Sequence, residues 1–485
     1  MRLIICEKPS VAKTVAAALG AAEQKNGYIQ GDDLLVSWCV GHLVSMADAG
    51  SYDERFKKWQ YEDLPILPEE WKYTLTPGKE KRFSVLQELM RRDDVTELVN
   101  GCDAGREGEL IFRFVAEQAG CEKPVKRLWI SSMEDSAIRE GYAAMRDGKE
   151  YDALYQSALC RARADWLVGI NATRLFSVLY HKTLNVGRVL SPTLNLLVER
   201  DGKIMTFKKE KYHTVHIGCG GADAKSEHIP DAAEADKLKA DCEQSQAVCT
   251  SLTKEKKTVQ PPKLFDLTSL QREANRVYGF TAKQTLDYAQ ALYEKRLLTY
   301  PRTDSNYITS DMEASAADLV SALLSLLPFA QGAELSPNIG RVIDNAKVTD
   351  HHAILPTAAF AKTGFDGLAE SEKKLLSLVC MKLLCAVAPP HEYEVVTAIF
   401  KCCGKPFSAK GKRILSDGWK DMERRFRLTL KSKDAEQTED EAALPELAEG
   451  QTFDKPAASV SEHYTTPPKP YTEDICCERG IRNHP

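Results

Sequence analysis

The most constraining feature lies at the start of the chain. Residues 2–6 (RLIIC) are apolar and give way at once to Glu7-Lys8, then to Pro9-Ser10 and an alanine-rich segment ending near Gly20. That pattern reads as a short buried strand followed by a helix opened by proline. It recurs: Leu34 to Val40 is apolar, Leu98 to Cys102 precedes a helix through Leu110, Ile111, Phe114 and Val115, and Lys126 to Ile130 makes a fourth strand. Strand–helix alternation over the first 135 residues predicts an α/β unit with a mainly parallel sheet.

The remainder is organised differently. From about 137 to 200 the spacing is helical, with arginines between apolar residues. Residues 209–258 have the texture of strands, 266–330 are helical around the break TYPRTDSNYI, and 390–430 return to short strands. A β-rich piece on each side of a helical block predicts one domain interrupted by another. With 485 residues, the chain has room for about three to four domains.

Charge limits the function. There are 65 basic and 70 acidic residues, a net −5, which excludes a histone-like protein that binds DNA by bulk charge. The run 434–449 holds seven acids and no base, which leaves +2 for the rest, so any nucleic-acid surface must be local. The acidic run reads as a solvated loop or linker. No apolar stretch is long enough to span a bilayer and the N-terminus has no secretory pattern, so the expected location is the cytoplasm, without membrane contact. Fourteen cysteines form no Cys-x-x-Cys pair, and the expectation is buried thiols with no zinc.

Three constellations carry chemistry. Glu7 sits at the end of the first strand, and Asp103 and Glu107, in DAGREGE, follow another. Ligands of open α/β sheets bind outside those strand ends, and carboxylates converging there suit a hard cation such as Mg²⁺. Tyr300 and Arg302, in TYPRTDS, suit phosphodiester attack, because a guanidinium lowers the phenol pKa and holds transition-state charge. Asp350-His351-His352 offers one histidine to a phosphate. Arg161, Arg163, Arg174, Arg188 and Ser191 are of the types that hold phosphates, whereas Trp166 reads as core. The absence of G-x-x-x-x-G-K-[ST] argues against an ATPase.

EKPS (7–10), DAGREGELIFRF (103–114), RLWISS (127–132), RARADWLVGINATR (161–174), GRVLSPTL (187–194), LTSLQREAN (267–275), LTYPRTDS (298–305), HHAILPT (351–357) and TTPPKPYTE (465–473) occur in this order. Together they resemble type IA DNA topoisomerases of the topoisomerase III branch. The resemblance implies a multidomain toroid combining α/β, helical and β-rich lobes. Its parts would be a Toprim domain (1–136), the first part of a helical single-strand groove (137–206), and a β-rich arch or hinge (207–265 and 386–460). A helical domain carrying the nucleophile (266–385) and the start of a further segment (461–485) would complete it. Tyr300 would attack single-stranded DNA and keep its 5′-phosphate, aided by Arg302. Glu7 would serve the leaving 3′ oxygen, and Lys8 and His351 the scissile phosphate. Glu7, Asp103 and Glu107 would hold Mg²⁺, with Mn²⁺ as an alternative and no ATP. Arg161, Asp165, Arg188, Ser191 and Thr303 would meet the DNA. The resemblance also implies a nucleoid-associated protein, with underwound DNA and a helicase as candidate partners.

Two departures stand out. The family's usual Asp-x-Asp-x-Glu has Gly105 at its middle position, which should weaken metal binding. After TTPPKPYTE the family continues into a long helical segment, whereas here ICCERGIRNHP follows. The expectation is a C-terminally truncated enzyme with an incomplete groove lobe and exposed apolar surface. A catalytically poor DNA-binding remnant is therefore the alternative. A Toprim phosphoesterase is a third reading, but it leaves Tyr300 and Arg302 without purpose.

Overall fold

The computed structural model describes residues 1–130, 133–348, 351–430 and 444–472. In the N-terminal unit, strands β1 (Arg2–Cys6), β2 (Glu23–Lys25), β3 (Tyr28–Gln30) and β4 (Leu34–Trp38) precede a small ribbon of β5 (Val44–Met46) and β6 (Tyr73–Leu75). They are followed by β7 (Glu97–Gly101), β8 (Val125–Arg127) and β9 (Arg146–Asp147). The main sheet runs β2-β3-β4-β1-β7-β8-β9. Its centre is parallel, as expected: β1 pairs with β4 and β7, and β7 with β8. The edges are antiparallel. β1 is wholly buried after Arg2 because helices cover both faces of such a sheet. The helices are α1 (Pro9–Ala18), α2 (Glu80–Arg91), α3 (Arg106–Ala119) and α4 (Asp135–Ala143). Pro9 opens α1, as its fixed φ and missing N–H favour.

Two long helices follow, α5 (Asp152–Leu179) and α6 (Leu190–Met205). α6 buries none of its residues, and Val168, Leu179, Leu190, Leu194, Val198 and Met205 are all exposed. The expected bare apolar surface is thus present on this pair.

The second sheet is assembled from both flanks of the helical block. Its strands are β10 (Lys211–Cys219), β11 (Ala222–Lys225), β12 (Gln246–Val259), β13 (His391–Cys402), β14 (Lys405–Ser416), β15 (Thr452–Asp454) and β16 (Ala458–Tyr464). Their order is β15-β12-β13-β14-β11-β10-β16. β13 and β14 are not short: each has 12 residues. A helix, α7 (Ala232–Gln244), interrupts the strands with Asp231 as its cap. Residues 461–464, expected to begin a further segment, lie inside β16 and pair with β10.

The helical block comprises α8 (Leu267–Tyr278), α9 (Ala282–Glu294), α10 (Glu313–Leu326), α11 (Ala358–Thr363) and α12 (Glu370–Val387). α13 (Trp419–Leu428) packs on it through Met422 and Phe426, where strand texture had been expected. No helix among the described residues is long and apolar enough to cross a membrane. Asp350, the end of RLWISS, the acidic residues 434–443 and the tail from 473 fall outside the described residues.

Candidate active site between the Toprim sheet and the tyrosine loop

The site forms where the ends of β1 and β7 meet the loop after α9. Asp103 follows β7 in a turn held from behind. Arg127, 1 % exposed, donates to the carbonyls of Asn100, Cys102 and Asp103 and pairs with Glu109 at 2.7 Å. Asn100 Nδ2 donates to Glu109, and its Oδ1 accepts from the Cys102 amide. These hydrogen bonds and the Arg127–Glu109 ion pair fix the turn.

The glycines of DAGREGE each have a reason. Gly105 caps α3 at φ 151°, ψ 175°, a conformation that is essentially glycine-only. An aspartate at this middle position would be strained here. Gly108 lies so close to the turn that a β-carbon would fall 2.0 Å from the Asp103 carbonyl oxygen.

The tyrosine loop is stitched to the segment after His351. Leu298 bridges Pro356, the Thr299 amide donates to Leu355, and the Thr303 hydroxyl donates to the His351 carbonyl. Tyr300 is 6 % exposed and packs within the core of the Toprim unit. Its ring lies 4.4 Å from that of His351 and 5.3 Å from that of Tyr293. His351 Nε2 donates to the Ala104 carbonyl at 2.6 Å, and its ring stacks on Trp129. Burial lowers the His351 pKa to about 4, so the imidazole is neutral. In this closed arrangement its Nε2–H is held by the Ala104 carbonyl.

Electrostatics join the two halves. Burial pushes the Tyr300 phenol well up, Asp103 and Glu7 add to this, and Arg302 opposes it. Burial and Asp103 together raise Glu7 to about 7, against Lys8, Arg302 and His42. Asp103 is raised too, chiefly by burial, and its Oδ1 is buried without a hydrogen-bond partner. Two crowded carboxylates with one orphaned oxygen form a place that a divalent cation fits. Glu107 stands apart: it is exposed and bonded to His42 Nε2 at 2.6 Å, which lowers its pKa. Among the described residues, the carboxylate oxygens of Glu7, Asp103 and Glu107 do not gather as a trio within 4.8 Å.

Polar contacts close the interface. Lys8 Nζ meets Glu294 Oε1 at 3.1 Å, and Ser10 Oγ donates to Glu294 Oε2 at 3.0 Å. Arg296, at φ 66°, turns the chain after α9 and reaches Asp135 at 2.5 Å. The sequence reading missed Glu294, because one glutamate at the end of a helix carries no motif.

The expected DNA contacts divide. Arg161 is exposed near Glu107, whose pKa its charge lowers. Arg188 pairs with Asp165 at 2.8 Å on the surface, and the Ser191 hydroxyl caps the Gly187 amide. Thr303, expected to meet the DNA, is 6 % exposed, and its hydroxyl donates to the His351 carbonyl. Arg174 is also buried, donating to the Phe56 carbonyl. Trp166 is held by Ala47 and packs edge-on against Tyr52 and Trp71, as a core residue should.

A family model described as DNA topoisomerase matches residues 149–475, and a Toprim domain model matches residues 2–133. The chain belongs to the DNA topoisomerase family. It is 38 % identical to DNA topoisomerase 3 of Bacillus subtilis, covering 97 % of this chain and 66 % of that protein. The Bacillus cereus DNA topoisomerase 3 is 38 % identical over 93 % of this chain and 63 % of its own length. The chain thus spans just under two thirds of these curated relatives. Full-length topoisomerase I from Thermotoga maritima shares the fold: TM-score 0.73 at 23 % identity, over 99 % of this chain and 75 % of that one.

Proposed function

We propose that this chain is an ATP-independent type IA DNA topoisomerase acting on single-stranded or underwound DNA. The observation that carries the reading is the burial of Tyr300 against His351, in the shared field of Glu7, Asp103 and Arg302. A phenol held there attacks a scissile phosphate. The Tyr300 oxygen–phosphorus bond forms, the bond to the 3′ oxygen breaks, and the 5′-phosphate stays on the tyrosine. The phenol gives up its proton to solvent water, and the 3′ oxygen takes one. Glu7, pushed up to about 7, is the group suited to supply it. Arg302 lowers the phenol pKa and meets transition-state charge. The ester conserves the bond energy, so the 3′-hydroxyl reverses the attack and no ATP is consumed.

Asp103, through its orphaned Oδ1, would hold Mg²⁺ once Glu7 has given up its proton and can join it as a second carboxylate, with Glu107 and His42 beside them. The ion would supply positive charge for the carboxylates and the phosphate. Between cleavage and rejoining, the Lys8–Glu294, Ser10–Glu294, Arg296–Asp135 and His351–Ala104 contacts open. The second sheet, made from strands within 211–259 and 391–464, would act as the hinge.

A DNA-binding role without strand passage is the second reading, favoured by the bare apolar side of α5 and α6. The test mixes labelled single-stranded oligonucleotide with the chain and Mg²⁺, quenches with denaturant and resolves the products on a denaturing gel. The proposal predicts a covalent band that Tyr300→Phe abolishes while DNA binding persists. Binding without a band would favour the second reading.

A further inference from the structure

The second sheet holds a cluster that the proposed strand-breaking chemistry does not use. Cys242 lies in the last turn of α7, Cys402 ends β13 and Cys403 begins the turn into β14. Their sulfur atoms all lie within 4.8 Å of one another, and those of Cys402 and Cys403 are 3.9 Å apart. Metal–sulfur bonds of about 2.3 Å in tetrahedral geometry set sulfurs roughly 3.8 Å apart. The Cys402–Cys403 spacing is therefore that of two ligands on one ion, and the Cys242 sulfur lies close enough to join them.

The hairpin geometry gives a second, independent observation. Cys402 pairs with Lys405, so Cys403-Gly404 is a two-residue turn, with φ 50° and 76°. Both central residues at positive φ define a type I′ turn, whose first position favours asparagine, aspartate or glycine. A cysteine costs backbone energy there, and this strained residue is the one that presents its sulfur to the other two. Cys403 is exposed while Cys242 and Cys402 are buried, so the cluster has one open side. That side adjoins a cleft of about 400 Å³ lined by Cys403, His228, Asp241 and Lys405. Cys219 and Cys249 belong to the apolar core of the same sheet, which is the ordinary use of a buried thiol.

We propose that Cys242, Cys402 and Cys403 form a three-thiolate site for a thiophilic divalent metal ion of the zinc class, with its fourth position open to the cleft. Each thiol releases its proton to solvent as its metal–sulfur bond forms. The ion ties α7 to the β13–β14 hairpin and stiffens that end of the sheet. The inference stands independently of the strand-breaking reading.

The test uses the full chain, fully reduced, metal-free and without oxygen, titrated with Co²⁺. The expected result is an intense thiolate-to-cobalt charge-transfer band that saturates at a single Co²⁺ per chain and is bleached by Zn²⁺. Carboxylate-bound Co²⁺ in the Toprim unit gives no such band. Cys403→Ser changes an exposed residue, and Cys242→Ser replaces a buried one. Each should weaken binding tenfold or more with an unchanged circular dichroism spectrum, and Cys476→Ser/Cys477→Ser should leave the band intact. No band in excess Co²⁺, a band that survives in Cys403→Ser, or a band lost only with Cys476 and Cys477 overturns the proposal.

Discussion

Replacing Gly108 with alanine isolates the architecture of the acidic turn from its chemistry. The added β-carbon would stand 2.0 Å from the Asp103 carbonyl oxygen, 3.0 Å from its carbonyl carbon and 3.1 Å from its amide nitrogen. Carbon–oxygen contacts shorter than about 3.3 Å are avoided, so the two backbones must part by roughly 1.3 Å. No side-chain rotation relieves this, because the three nearest atoms are all main chain. The movement falls on the turn that Arg127 and Asn100 hold, and on Asp103 itself. Overpacking of this kind costs about 1–3 kcal/mol of stability. A displacement of about 1 Å at a reacting centre costs on the order of 10²-fold in rate. Gly108→Ala should therefore form the covalent DNA adduct about 10²-fold more slowly than the parent in single-turnover trapping. It should need more Mg²⁺, while its far-ultraviolet circular dichroism stays native. Adduct formation at the parental rate and Mg²⁺ dependence would refute the claim that the turn positions Asp103.

Two further outcomes follow from contacts elsewhere. Glu294→Gln removes the charge facing Lys8 but keeps an acceptor for Ser10; both partners of the ion pair are about a quarter exposed. The loss should be about 1.4 kcal/mol, so amide exchange at Lys8, Ser10, Val11 and Ala12 should quicken about tenfold, and unchanged exchange would remove Glu294 from the closing contacts. His391 is 1 % exposed, its Nδ1 donates to the Asp417 carbonyl, and burial depresses its pKa. The unfolded chain then binds more protons than the folded one as pH falls below the ordinary histidine value of about 6.5, so stability falls with it. The melting temperature should drop between neutral pH and pH 5 by less in His391→Asn than in the parent; parallel curves would show that His391 does not contribute.

What the sequence disclosed follows physical scale. Short apolar runs ending in Glu7 or Asp103 announced strands whose ends carry charge, because burial and the exit from the sheet are both local events. The interrupted β domain was visible as two strand-rich flanks, although their pairing into one sheet is a long-range property. α7 was missed because AAEADKLKADCEQ buries only Ala235, Leu238 and Cys242. α13 was missed because just two residues anchor it. Arg174 is of a type that holds phosphates, but side-chain type does not reveal that a backbone carbonyl, that of Phe56, has claimed the group. Glu294 and the three-cysteine cluster arise from chain segments far apart in sequence, and spacing rules see only neighbours. Gly105 looked like a lost metal ligand; the backbone at φ 151° shows that the position has its own conformational requirement.

Tyr300 is the residue proposed to form the covalent bond to DNA. The most direct measurement is to trap the adduct on a single-stranded oligonucleotide, digest both polymers and locate the residual nucleotide by mass spectrometry. The account predicts a 5′-phosphoryl nucleotide on the peptide containing Leu298-Thr299-Tyr300-Pro301-Arg302, with the modification on Tyr300. A nucleotide on any other residue, or linkage through the 3′ end, would contradict it.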